Sequence, residues 1–242
     1  WITTLSERTT IVDNATLIDW QIEKMAYSLI TTPDNSWNIL SSDYNTTITS
    51  SLSSEFLDPA FIDKSNFTPT DKPDCISPKN NLPGNPTNFC NPIIRGLDAD
   101  YVLIYLAGER FFLDGMNIPI YTLEGGGDES KKTWYAKISN HQVSKFIEDD
   151  NITPTPYYME NSTLGMLTPF SIFKYVEPNT GRTFDKYQSG LIPVYVNDLK
   201  FRDPDNDPFY LVYASTSFYN KEPGIMSTVL IYKINHDYNP QN

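Results

Sequence analysis

The chain has 242 residues, with 18 Lys and Arg against 30 Asp and Glu and a formal net charge of −12. So acidic a composition argues against a nucleic-acid partner, because following a phosphate backbone takes a basic patch. The 39% hydrophobic and 14% aromatic content excludes a wholly disordered chain, and no run of ~18 apolar residues is present to span a bilayer as a helix.

The opening Trp1-Ile2-Thr3-Thr4 has neither an initiator Met nor the charged start of a signal peptide, so the chain is expected to be a piece of a longer protein. Helical spacing of Ile18, Ile22, Met25, Ala26, Leu29 and Ile30 predicts a helix after Asn14. Thr16 and Asp19 resemble its capping box, and Thr31-Thr32-Pro33 stops it. Residues 34–60 offer only short helical pieces such as 53–57. Residues 64–98, rich in Pro, Asn and Ser, read as a long excursion without periodicity.

At 101 the texture changes. The continuous apolar run Tyr101-Val-Leu-Ile-Tyr-Leu106 predicts a strand buried on both faces, and a second strand is expected over 118–123. Gly125-Gly126-Gly127 breaks the chain. Asp128 is then placed as the cap of a helix from Glu129 to about Ile138, continuing through Val143, Phe146 and Ile147. Residues 151–161 read as loop and 164–175 as helix. The runs 191–196, 209–214 and 228–233 are β-rich and separated by Asp, Asn and Pro turns. The expected class is a mixed α+β fold. A helix-led first part covers 1–170, with the excursion at about 40–97, and a β-rich second part covers 171–242.

Cys75 and Cys90 lie in the Pro- and Asn-rich segment, with neither His141 nor His236 near enough in sequence to complete a zinc site. In an oxidising compartment they would close a small loop, worth ~3 kcal/mol on the chain-entropy estimate; the alternative is two unpaired thiols. Asn-x-Ser/Thr patterns at Asn14, Asn45, Asn66, Asn151 and Asn161 also tilt the chain towards an exported surface.

Chemistry-bearing motifs are scarce. Two histidines leave little for a nucleophile–His site, and His141 reads as a polar residue on a helix surface. HExxH, CxxC and Walker patterns are absent. Glycines precede the helix at 128, but Asp128 and Glu129 would repel a phosphate there. Asp149 and Asp150, and Asp203, Asp205 and Asp207, read as solvated turns. Trp1 and Trp20 read as core. Asp128 and Lys131 lie one turn apart and share a face, which by itself implies no more than a weak surface attraction.

Four islands in order carry a resemblance. They are Arg8-Thr-Thr-Ile-Val-Asp-Asn-Ala-Thr16 with Lys24-Met25-Ala26; Asp98-Ala-Asp-Tyr-Val-Leu-Ile-Tyr105; Gly126-Gly-Asp-Glu-Ser-Lys131-Lys-Thr-Trp-Tyr-Ala-Lys-Ile138; and Val229-Leu-Ile-Tyr-Lys-Ile234. Together they resemble the C-terminal soluble domain of the oligosaccharyltransferase catalytic subunit, the archaeal single-chain enzyme of protein N-glycosylation and its eukaryotic relative. Residues 40–97 match that family poorly; the resemblance implies that 1–170 is the helical central core and 171–242 an insertion beside it, with its last strand returning to the core. The resemblance implies a membrane glycosyltransferase that moves a glycan from a dolichol-phosphate-type lipid carrier to Asn in Asn-x-Ser/Thr. This domain would lie on the extracellular face and be inactive alone.

In that family a W-W-D-Y-G sequence precedes the stretch matching Trp1-Ile2. The missing transmembrane part carries the carboxylates for a divalent metal, Mn2+ or Mg2+, so no metal ligand or catalytic residue is expected here. Asp128 and Lys131 fit the D-x-x-K signature that reads the acceptor polypeptide. Tyr135 stands where the family has Met or Ile against the methyl of the +2 Thr, which puts the preference for Thr over Ser in question. The implied partners are the acceptor polypeptide, the lipid-linked oligosaccharide and the membrane. A non-enzymatic extracellular sensor domain of a membrane receptor is the alternative, and a secreted adhesion module a third.

Overall fold

The computed structural model describes residues 19–42, 67–69, 76–78, 97–112, 119–123, 126–139, 141–173, 175–176, 180–181, 183–184 and 195–240. Cys75, Cys90, Asn14, Asn45, Asn66, Trp1 and the side chain of Trp20 fall outside them, as do the helical piece expected at 53–57 and the first island of the resemblance up to Thr16.

The class is mixed α+β. Helix α1 (Asp19–Ile30) ends as expected, but Pro33 does more than stop it: with φ fixed and no N–H to lose, it opens α2 (Pro33–Ser41) at the first turn. Two short antiparallel strands follow, β1 (Phe67–Pro69) and β2 (Ile76–Pro78). The long strand β3 (Tyr101–Phe111) comes next, with β4 (Ile120–Thr122) paired to its far end. Helix α3 (Lys132–Ile138), α4 (Pro156–Asn161) and α5 (Thr163–Leu167) precede the short strands β5 (Phe170–Ile172), β6 (Tyr175–Val176), β7 (Thr183–Phe184) and β8 (Tyr195–Asn197). The chain ends through β9 (Phe209–Ala214), α6 (Thr216–Tyr219) and β10 (Gly224–Ile234).

Among the described residues, six strands form one antiparallel sheet in the order β5-β8-β4-β3-β10-β9, so strands from both sides of residue 170 share it. β10 lies beside β3 for ten residues, from Gly224 opposite Arg110 to Lys233 opposite Tyr101.

One face of this sheet packs on the helices. Val102, Ile104 and Leu106 of β3 join Leu230, Tyr232 and Ile234 of β10 in the core, against Ile30 of α1 and Ala136 of α3. Burying such side chains contributes roughly 1.5–3 kcal/mol each. The alternate residues Tyr101, Leu103 and Tyr105 are exposed. The strand is therefore covered on one face, not two as its apolar run suggests; an antiparallel sheet admits that arrangement.

Elsewhere the local boundaries differ from expectation. Residues 156–161 are helical, because Thr155 caps the turn through its side chain onto the Tyr158 N–H and Pro156 sits at the first position. The helix expected over 164–175 stops at Leu167 and becomes β5. α3 ends at Ile138, and Val143–Lys145 forms a separate 3-10 turn. Two ends are tied together: the Thr163 N–H and hydroxyl both donate to the carbonyl of Thr31, 2.8 and 2.9 Å away, linking the end of α1 to the start of α5.

Candidate functional site

Where β4 leaves the sheet, the chain returns against β3 through Gly126 and Gly127. Gly126 has φ 121°, open to glycine at little cost. At Gly127 a Cβ would stand 2.8 Å from the Ala107 nitrogen and 3.0 Å from the Leu106 Cα, so the close approach itself demands glycine. The next four residues, Asp128–Lys131, form a 3-10 turn that leads into α3. Gly127, not Asp128, takes the N-cap position, and the turn has no side-chain cap.

The Asp128 carboxylate is engaged elsewhere. Its Oδ2 accepts from the backbone N–H of Tyr105 at 2.7 Å, and its Oδ1 accepts from Lys131 Nζ at 2.9 Å. The Asp128 side chain is 18% exposed and that of Lys131 46%, so the turn presents an ammonium group on an anchored carboxylate. As an exposed pair its net stabilisation is below about 1 kcal/mol. Its value is positional.

A second pair interleaves with the first. Lys132 Nζ donates to Glu129 Oε1 at 2.8 Å, with side chains only 7% and 3% exposed. Sequence reasoning passed over it, although Asp-Glu-Ser-Lys-Lys spells two acid–base pairs each three residues apart. Behind them Tyr135 is half-buried against the core, while its neighbour Trp134 is 67% exposed. Burial, reinforced by the Asp128 charge, lifts the Tyr135 hydroxyl beyond the usual phenol range. The fully buried Tyr158 is pushed the same way by burial and then by Glu129. Both phenols stay protonated through neutral pH.

No family model, curated protein or solved structure matches this chain. Fold and site stand on its own residues.

The other sequence candidates resolve differently. His141 is buried, not on a helix surface: its ring lies 5.4 Å from that of Tyr27 and 5.7 Å from that of Phe146, with Nδ1 2.8 Å from the Ser139 hydroxyl. Burial, against the Ser139 contact and with Lys145 nearby, lowers its pKa to about 4. Asp150 accepts from the N–H groups of Ile152 and Thr153, and Asp207 from those of Arg202 and Asp203, so both carboxylates organise turns. Among the described residues no group of three His, Cys, Asp or Glu side chains is placed to hold a metal ion, and no helix is long and apolar enough to cross a membrane. Of the described sequons, Asn151 and Asn161 are both exposed.

Proposed function

We propose that this chain is the acceptor-recognition domain of a membrane oligosaccharyltransferase, which transfers a glycan from a dolichol-phosphate-type carrier to Asn in Asn-x-Ser/Thr. The observation that supports this is the Asp128–Lys131 pair, closed at 2.9 Å on a turn that reaches the surface. An ammonium has three donors. Lys131 spends one on Asp128 and keeps the others for the +2 hydroxyl oxygen of an acceptor, while Asp128 has lone pairs to take the hydroxyl proton.

An amide nitrogen is a poor nucleophile, so holding the Asn in place with binding energy from a remote hydroxyl is worth spending. A pocket built for that hydroxyl rejects analogues lacking it, because its own polar groups are then left unpaired. Tyr135 would offer its ring to the methyl of Thr. The divalent metal, Mn2+ or Mg2+, and the lipid-linked glycan would be held by the membrane part of the full-length enzyme; no step on this chain runs through them.

The test is peptide glycosylation by the full-length enzyme carrying Asp128→Ala with Lys131→Ala. Loss of transfer to Asn-x-Thr peptides is expected, and unchanged transfer rejects the proposal. The second reading, a sensor domain, draws on a surface hollow of about 310 Å³ lined by Tyr121, Phe218, Tyr219 and Lys221. That volume lies at the small end of ligand pockets. Thermal shifts with small metabolites, absent with sequon peptides, would favour it.

A further inference from the structure

The turn at 128–131 faces a choice of partners. Asp128 and Glu129 are followed by two adjacent lysines, Lys131 and Lys132. In a continuous α-helix, residues four apart are neighbours as well as residues three apart, so Asp128 could pair with Lys132. A 3-10 turn has three residues per turn and eclipses positions i and i+3. The structure holds that second register twice: Asp128 with Lys131 at 2.9 Å and Glu129 with Lys132 at 2.8 Å.

The two pairs differ in surroundings. Asp128–Lys131 reaches solvent, whereas Glu129–Lys132 is buried beside the fully buried Tyr158, with Asp150 close enough to feel the charge of Lys132. A buried ion pair adds little net stability, since desolvation offsets the attraction; its best-attested use is to fix a register. Removing Glu129 leaves Lys132 a buried ammonium that turns to another carboxylate, and Asp128, four residues back, competes with Asp150 for it.

We infer that Glu129 and Lys132 are positioning residues: by occupying Lys132, Glu129 keeps it off Asp128 and leaves Lys131 as the ammonium presented at the surface. Their functional consequence rests on the acceptor reading of Asp128 and Lys131; the pairing itself does not.

Two measurements separate these levels. In the 242-residue chain, the NMR signal of the Tyr105 amide reports on Asp128, which it contacts at 2.7 Å. Glu129→Gln is expected to shift that signal as Lys132 turns to Asp128. Adding Lys132→Met, which removes the competitor, returns it to the wild-type position. A signal that does not move in Glu129→Gln, or one that stays displaced in the double variant, overturns the inference.

In the full-length enzyme, Glu129→Gln is expected to raise the KM for a sequon peptide about tenfold with kcat unchanged, and the double variant to restore it. If Lys131→Ala raises KM but Glu129→Gln does not, the positioning role is rejected while the acceptor reading survives. If Lys131→Ala has no effect either, the acceptor reading fails, and the Tyr105 signal alone decides the register.

Discussion

The Asp128 carboxylate lies 2.7 Å from the backbone nitrogen of Tyr105, on the side of β3 that faces away from β10. The side is fixed by Val229, the residue opposite Tyr105. Its N–H donates to the Ser215 hydroxyl and its carbonyl accepts the Ser215 N–H, so both its backbone groups face β9. The Tyr105 N–H therefore points outward, past the end of β4, and Asp128 supplies the acceptor there. One bond thus ties the candidate site to β3, which with β10 is one of two 11-residue strands of the sheet.

Removing that acceptor has a direct cost. Asp128→Ala is expected to destabilise the chain by about 2 kcal/mol, the usual range for losing a charged hydrogen bond to a backbone donor. Asp128→Asn, which keeps an oxygen in place, should lose less. Urea unfolding measures both, and the Tyr105 amide should exchange faster in the Ala variant.

Gly127→Ala tests the close approach. The added methyl would stand 2.8 Å from the Ala107 nitrogen, backbone that cannot swing aside. A loss of about 1–3 kcal/mol is expected, as for overpacking elsewhere. The 128–131 turn should also lift from β3; on the proposed acceptor reading, sequon peptides then transfer more slowly in the full-length variant.

A pH dependence follows from His141. Its pKa is about 4 when folded, from burial first, against 6.5 unfolded. Between those values the unfolded chain binds more protons, so stability rises with pH and is complete above about pH 6.5. Acidification to pH 5 is expected to remove about 2 kcal/mol, and to pH 4 about 3 kcal/mol, through this group. Urea midpoints should fall over pH 6.5 to 4 and fall less in His141→Gln; equal slopes would exclude the assignment.

Much of the fold was legible where side-chain period and burial agree. α1, β9 and β10 carry apolar residues on the face that meets the core. β3 misled because Tyr101, Leu103 and Tyr105 are apolar yet face outward, so alternation is invisible in composition. Pro33 and Pro156 read as loop or stop, although proline also suits the first helical turn. At the site, spacing showed only that Asp128 and Lys131 share a face; Tyr135 entered through the resemblance alone. The Tyr105 N–H was not, because a backbone donor leaves no trace in side-chain identity. The burial of Glu129 and Lys132 was hidden too: sequence shows the charges but not the tertiary packing around them.

The chain's own sequons should discriminate folded from unfolded acceptors. Thr153, at +2 from Asn151, is buried and donates to Asp150; Thr163, at +2 from Asn161, is buried and donates to Thr31. An enzyme that reads the +2 hydroxyl cannot reach either in the folded chain. Mass spectrometry is expected to find glycan transferred in vitro to peptides spanning these sites and not to the folded domain.

On the proposed acceptor reading, Tyr135 bears on specificity. Its ring is broader than the Met or Ile of the resembled family, and one methyl in an apolar pocket is worth roughly 1 kcal/mol or more. Tyr135→Ile is expected to raise the ratio of kcat/KM for Asn-x-Thr over Asn-x-Ser several-fold. An unchanged ratio would remove Tyr135 from the site.

The acceptor-recognition reading is tested most directly by sequencing the gene upstream of the codon for Trp1. The expected result is W-W-D-Y-G immediately before it, preceded by roughly a dozen hydrophobic spans of ~20 residues each. A signal peptide or a single transmembrane span in that place would contradict the reading and favour a secreted module or a sensor.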